Sequence, residues 1–149
     1  MENLPSGIKI IQRFVIVASI SSILLAGCAR AGQLPDAETM YIKASALTKL
    51  SKAVESTVRY KSPPENISDQ ELLNLATQDD PSLLEPFAGY TLKVSRESLH
   101  AIVLVCTLDS TKGLLEDAGC TAKLDNHLWQ SEGNLCSFTL VADEICAAP

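Results

Sequence analysis

The sequence predicts an α+β fold, in which N-terminal helices pack on a small antiparallel sheet of three to four strands that two disulfides brace. Apolar residues recur at three- and four-residue steps after Pro35, which is the period of a helix. After Gly89 the pattern changes to alternation, and four cysteines lie in this later part. Helices followed by strands are typical of α+β domains. Residues 36–149 are therefore predicted to form one domain, helical over 36–88 and strand-rich over 89–149.

The first predicted element of this domain is an amphipathic helix from Asp36, which can cap it, to about Tyr60. Basic side chains lie largely off its apolar stripe, and Glu55 can pair with Arg59 at i, i+4. We interpret this face as solvated, with contact to anionic headgroups or an acidic partner as the alternative. The stripe consists of Met40, Ala44, Leu47, Val54 and Val58, with Leu50 beside them.

A second helix is predicted to begin at Ser68, because the two prolines of KSPPENIS cannot continue the first one. The sequence SDQE at 68–71 is a capping box, in which Ser68 and Glu71 satisfy each other's backbone N–H groups. Asp80 followed by Pro81 predicts a short helical turn, since Asp caps helices well and Pro is tolerated in the first turn.

The strand-rich part begins with YTLKVS at 90–95, which alternates apolar and polar residues and predicts a half-buried strand. Residues 100–108, HAIVLVCTL, are apolar on both faces, as a central strand would be. A turn at 109–113 then leads to LLED at 114–117, which fits either a short strand or one helical turn. The sequence CSFTLVA at 136–142 is predicted to be the last strand.

Residues 1–27 have the organisation of a secretory signal peptide. Lys9 and Arg13 precede an apolar run that begins at Phe14, the order of a charged n-region and an h-region. A membrane-spanning helix needs about 20 apolar residues, and only 16 residues lie between Arg13 and Arg30. The length favours a cleaved signal, with an uncleaved membrane anchor as the alternative.

The apolar run ends in Leu25, Ala26, Gly27 and Cys28, and this sequence resembles the lipobox of bacterial lipoproteins at all four positions. The resemblance implies that diacylglycerol is attached to the Cys28 thiol and that the chain is cut after Gly27. The new amino group is then acylated, with palmitate as the expected chain. Residues 28–35 would form a lipid-anchored tether. Several acyl chains anchor firmly, because each buried CH₂ contributes about 0.8 kcal/mol.

The residue after the lipidated cysteine determines the location that the resemblance implies. In bacteria with two membranes, an Asp at this position favours retention in the inner membrane, and this sequence has Ala29 instead. The expected location is therefore the outer membrane, with the domain on its periplasmic side. In an organism with one membrane, the same motif would place the domain on the cell surface.

Cys106, Cys120, Cys136 and Cys146 are predicted to form two structural disulfides, because export places them in an oxidising compartment. Metal sites favour close Cys-x₂₋₄-Cys pairs, whereas these cysteines are 14, 16 and 10 residues apart. Three pairings are possible. Short loops close most easily and favour Cys106–Cys120 with Cys136–Cys146. In a straight hairpin, however, Cys120 would overshoot Cys106.

Charge and motifs argue against several classes of function. The chain has 18 acidic and 12 basic residues, a net charge of −6, whereas nucleic-acid binding needs a basic face. The sequence contains no Gly-x-Ser-x-Gly elbow, no His-Glu-x-x-His motif and no Gly-rich phosphate loop. We therefore assign no catalytic, metal or cofactor-binding residue, and we interpret His100 as a strand-end residue.

The sequence favours a non-catalytic, membrane-anchored module of the cell envelope that binds another envelope protein. It would act as an assembly factor, a scaffold subunit, or an inhibitor or immunity protein. One alternative is a small envelope hydrolase that uses His127, which lies between Asp125 and Trp129. A weaker alternative is a pilin-like subunit, although a pilin-like leader is processed before its apolar run and not after it.

Replacement of Cys28 by Ser is expected to release the protein from the membrane, since the sulfur would carry the diacylglyceryl group. Membrane fractionation and mass spectrometry of the mature N-terminus measure this effect. Ser22→Ala, within the same apolar run, is the control and should leave an acylated Cys28 as the first residue. Retention of the Cys28→Ser protein in the membrane fraction would contradict the predicted anchor.

Overall fold

A computed structural model describes residues 37–121 and 135–146, and both ranges belong to one compact unit. They form an α+β fold of helices packed on a three-stranded antiparallel sheet, as predicted. The predicted signal peptide, lipobox and tether lie outside the described residues. So do the Asp36 cap and the segment that contains His127.

The helical part contains three elements in the predicted order. Helix α1 spans Ala37–Lys61, helix α2 spans Asp69–Ala76, and a 3₁₀ helix spans Pro81–Phe87. No helix within the described ranges has the length and apolar character that crossing a bilayer requires. The amphipathic character predicted for α1 is confirmed, because all six apolar residues are buried: Met40, Ala44, Leu47, Leu50, Val54 and Val58.

Two of the predicted helix caps are present. The Ser68 side chain accepts the Glu71 N–H, and the Glu71 carboxylate accepts the Ser68 N–H, which completes the capping box. Hydrogen bonds from Ser68 hold the pKa of Glu71 below its ordinary value, so the carboxylate is charged at neutral pH. Asp80 caps the 3₁₀ helix by accepting the Ser82 N–H at 3.2 Å.

The sheet contains β1 (Thr91–Glu97), β2 (His100–Cys106) and β3 (Gly113–Ala118) in the order β1-β2-β3, with antiparallel pairing. Strand β1 is half-buried along its whole length, and β2 is the buried central strand, both as predicted. Of the two structures that LLED allowed, the strand is the one formed, because this sequence pairs with β2.

Different elements cover the two faces of the sheet. Asp117 of β3 accepts a hydrogen bond from Ser51 of α1, whereas the neighbouring Glu116 accepts one from Thr139 of the C-terminal segment. Because successive side chains of a strand point to opposite faces, α1 covers one face and residues 135–146 cover the other. This double cover explains why the sequence of β2 is apolar on both faces.

The strand predicted at 136–142 is wrong. The segment is irregular up to its end, where the short helix α3 begins and spans Ala142–Ile145. Its side chains pack against the face of the sheet that α1 does not cover. This tertiary packing accounts for the apolar pattern that suggested a strand. The residues of the segment and of α3 that contact the buried cluster of Ile102, Ala118 and Ala142 are Phe138, Leu140, Ile145 and Cys146.

The two predicted disulfides are present, and they join Cys106 to Cys136 and Cys120 to Cys146. The pairing favoured on loop length, Cys106–Cys120 with Cys136–Cys146, is therefore wrong. Each bridge connects the sheet to the C-terminal segment that covers it. In the loop-entropy model, bridges of this separation contribute roughly 3–4 kcal/mol each to the free energy of unfolding.

The geometry of the β2–β3 hairpin explains the pairing. The Gly119 N–H donates to the Ala101 carbonyl, so Cys120 lies beside His100 at the start of β2. Cys106 is at the other end of this strand. Six strand residues span about 20 Å, whereas the Cα atoms of a disulfide lie less than about 7 Å apart. Cys120 does overshoot Cys106, and each cysteine pairs with the segment that crosses its own end of the sheet.

Gly119→Ala is expected to lower the free energy of unfolding by about 2 kcal/mol, the range found for overpacked sites. A Cβ at this position would lie 2.4 Å from the Glu55 Cβ and 2.4 Å from the Ser51 carbonyl oxygen, so the backbone of α1 would have to move. Urea unfolding of the purified protein measures the effect.

Gly89→Ala is the matched control, because a Cβ there meets no described atom within 4 Å. Its φ of +85° still makes the substitution unfavourable, by about 1 kcal/mol. If the two variants lose the same free energy of unfolding, the close contact with α1 is not the reason for glycine at position 119.

Candidate functional site

Glu55, on α1, organises the end of the sheet at which β2 begins. Its Oε2 accepts the Ala101 N–H at 2.7 Å, and its Oε1 lies 2.8 Å from His100 Nδ1. The same oxygen accepts a hydrogen bond from Arg59 Nη2 at 2.8 Å, which confirms the predicted i, i+4 pair. The buried carboxylate is thus fully engaged, and it fixes the orientation of the His100 ring.

His100 also lies beside the Cys120–Cys146 bridge. One of its ring nitrogens and the two Sγ atoms lie within 4.8 Å of one another, and all three residues are partly exposed. His100 does lie at a strand end, as interpreted from the sequence. Its position beside two sulfurs was not predicted, because the fold brings together residues that are far apart in the chain. We refer to His100, Cys120 and Cys146 as the histidine–disulfide cluster.

The other two buried acids, Glu116 and Asp117, contact opposite covers of the sheet. The Thr139 N–H donates to Glu116 Oε2 at 3.0 Å, and the Thr139 hydroxyl donates to the same carboxylate. On the other face, Asp117 accepts the Ser51 hydroxyl at 2.8 Å and the Thr121 hydroxyl at 2.9 Å. The two carboxylates therefore do not converge as a catalytic pair would, and each joins one cover to β3.

The second candidate site is a groove of about 530 Å³ between the outer face of α1 and the 3₁₀ helix. Tyr41 and Ile42 line it from α1 and are 62% and 64% exposed, respectively. Leu83 and Pro86 line it from the 3₁₀ helix, and the charged lining residues are Lys49 of α1 and Asp80, the cap of the 3₁₀ helix. The groove thus offers an accessible apolar surface.

Lys43 connects the two elements that form the groove. Its Nζ donates to the Pro86 carbonyl oxygen and lies 4.6 Å from the centroid of the Tyr90 ring. Partial burial lowers the pKa of Lys43 below its ordinary value. These contacts hold the 3₁₀ helix against α1, so the shape of the groove is established by the fold itself.

Comparison with protein-family models, with curated proteins and with solved structures finds no match for this chain. The function is therefore argued from its residues. The groove was not predicted from the sequence, although Tyr41 and Ile42 carry a signal, since they are apolar residues outside the buried stripe of α1. His127, the residue of the hydrolase alternative, lies outside the described residues.

Asp117→Asn is expected to stabilise the protein more at pH 7 than at pH 3.5. Burial raises the pKa of Asp117, and the hydrogen bonds from Ser51 and Thr121 oppose part of this rise. The Asp117 carboxyl group therefore stays protonated to a higher pH in the native state than in the unfolded chain. The free energy of unfolding decreases as the pH rises from the ordinary pKa through the raised one. Urea unfolding at the two pH values measures the difference between variant and native protein.

Asp109→Asn is the control of opposite sign. Hydrogen bonds from Thr107 and Thr111 lower the pKa of Asp109, so its contribution is present at neutral pH and is lost on acidification. Relative to the native protein, the free energy of unfolding of the Asp109→Asn variant should therefore be lower at pH 7 than at pH 3.5. If both variants show the same pH dependence, burial is not the cause of the effect at Asp117.

Proposed function

We propose that the protein is a lipid-anchored lipoprotein of the cell envelope that has no catalytic activity and binds another envelope protein. Its role would be that of an assembly factor, a scaffold subunit, or an inhibitor or immunity protein. The observation that carries this proposal is the apolar groove, in which Tyr41 and Ile42 are largely exposed. Exposed apolar side chains that share a concave surface are typical of protein interaction sites.

The anchor in this proposal is Cys28, at the end of the lipobox-like sequence LAGC. The outer membrane is the proposed location, with the domain on its periplasmic side, because Ala29 follows the cysteine. Only eight residues separate Cys28 from Ala37, where α1 begins. A flexible coil of that length has a typical reach of about 16 Å. The domain would therefore remain close to the headgroups.

The groove is formed on α1 within the first turns after this tether. Ile42 is only five residues beyond Ala37, so the groove is on the part of the domain that is closest in sequence to the anchor. We therefore propose that the partner is a protein at the same leaflet. It would insert an apolar side chain or short apolar segment between α1 and the 3₁₀ helix.

Two further observations favour binding over hydrolysis. None of the described residues that line the groove is a histidine, and the buried carboxylates of β3 are engaged with structural partners on opposite faces. Two disulfides and buried hydrogen bonds hold the sheet to its covers, and a preorganised surface loses less entropy on association. The described residues thus provide a stable binding surface.

Ile42→Glu is expected to reduce partner binding about tenfold, equivalent to 1.4 kcal/mol, since a charge would replace a central apolar contact. A photo-crosslinker at position 41 in intact cells should capture one envelope protein, and Ile42→Glu should suppress this product. The captured protein should then bind the purified native chain about ten times more tightly than it binds the variant.

Tyr60→Glu is the matched control, because Tyr60 is 78% exposed on the same helix, near the end that lies farthest from the groove. This variant should keep the crosslink from position 41, and a crosslinker at position 60 should not capture the same protein. Equal capture from positions 41 and 60, or normal binding by Ile42→Glu, would exclude the groove as the binding surface.

A further inference from the structure

The histidine–disulfide cluster carries an inference that is independent of the groove. We propose that His100, Cys120 and Cys146 bind a thiophilic metal ion, with Zn²⁺ as the test ion, after a dithiol reductant has opened the Cys120–Cys146 bridge. In the oxidised protein the two sulfurs are bonded to each other and cannot act as thiolate ligands. The cluster would therefore bind the metal only in its reduced state.

The donor atoms already lie close together. A ring nitrogen of His100 and the two Sγ atoms lie within 4.8 Å of one another. In tetrahedral zinc coordination, sulfur ligands at 2.3 Å from the metal are about 3.8 Å apart. The Cα atoms of the two cysteines are 5.6 Å apart, so side-chain rotation alone can separate the sulfurs to that distance. No rearrangement of the sheet is required.

The chemistry of the three donors suits zinc. Two thiolates and one imidazole are established ligands of this ion, and they leave the fourth tetrahedral position for water or another ligand. The three residues are partly exposed, so the ion and a water molecule can reach them. The ligands would come from the start of β2, the residue after Gly119, and the residue that follows α3.

Glu55 supplies the second observation that favours metal binding. Its Oε1 lies 2.8 Å from His100 Nδ1, and Arg59 Nη2 lies 3.3 Å from the same nitrogen. When the ring donates its Nδ1–H to Glu55, Nε2 carries the lone pair that a metal needs. A carboxylate that holds the other nitrogen of a metal-binding histidine is the common arrangement at zinc sites. Because Glu55 also binds the Ala101 N–H, its position does not depend on the metal.

The proposed Zn²⁺ binding has two steps, reduction of the bridge and coordination of the ion. First, a dithiol reductant donates two electrons and two protons, its own disulfide forms, and the Cys120–Cys146 bond breaks to give two thiols. Second, Zn²⁺ binds two thiolates and the neutral His100 ring, and two protons are released to the solvent. The ion keeps its oxidation state throughout.

The Cys106–Cys136 bridge is the internal comparison. It lies at the other end of β2, and among the described residues no histidine or acid joins it in a potential metal-binding group. Reduction opens both bridges, so a Cys106→Ser/Cys136→Ser variant is needed to isolate the cluster. That variant should bind zinc as the native chain does, in one equivalent.

The test uses the full chain, purified from membranes in detergent, reduced with dithiothreitol and freed of reductant without air. Zn²⁺ affinity is measured by competition with a chromophoric chelator, and Co²⁺ absorption reports the sulfur and nitrogen ligands. His100→Ala should weaken Zn²⁺ binding at least tenfold and change the Co²⁺ spectrum. His127→Ala, which changes the other histidine of the chain, should do neither. The oxidised protein should not bind at this affinity.

Three results would overturn the proposal. If His100→Ala binds Zn²⁺ with unchanged affinity, the His100 ring is not a ligand. If Cys120→Ser/Cys146→Ser binds Zn²⁺ with unchanged affinity, these two sulfurs are not ligands. A reduced chain that unfolds, as judged by circular dichroism, and is not refolded by Zn²⁺ would also contradict it. His100→Ala retains both bridges before reduction, so its fold can be verified in the oxidised state.

Discussion

The structure depends on the burial of both faces of β2. Residues 101–106 are fully buried, and a three-stranded sheet achieves this only if a second layer covers the face that α1 does not contact. The C-terminal segment provides that layer without forming a strand along the sheet. Because it lacks the regular hydrogen bonds of a ladder, it is held by two disulfides and by the hydrogen bonds of Thr139 to Glu116.

Periodicity and capping predicted the elements that depend on local sequence. The stripe on α1, the capping box at Ser68 and the apolar strand β2 could all be read in this way, because each is dictated by neighbours in the chain. The C-terminal segment was misassigned as a strand, since Phe138 and Leu140 are apolar for a tertiary reason. Disulfide pairing also escaped prediction, because loop length ignores that β3 runs back along β2 and carries Cys120 away from Cys106.

The two candidate sites also differ in whether the local sequence signals them. The groove had a local signal, because Tyr41 and Ile42 are large apolar residues outside the buried stripe of α1. The histidine–disulfide cluster had none, since His100 begins β2, Cys120 follows β3 and Cys146 follows α3, and they meet only in the folded chain. Both sites nevertheless use α1, which lines the groove near its start and positions His100 through Glu55 near its end.

The disulfides interleave, since the first and third cysteines of the domain pair, as do the second and fourth. The chain between Cys120 and Cys136 therefore belongs to both covalent rings. A protease that cut the backbone once in this interval would produce two fragments that stay joined through both bridges. Apparent integrity on a non-reducing gel thus says nothing about this stretch, and an inserted sequence there could be cleaved without detaching the layer over the sheet.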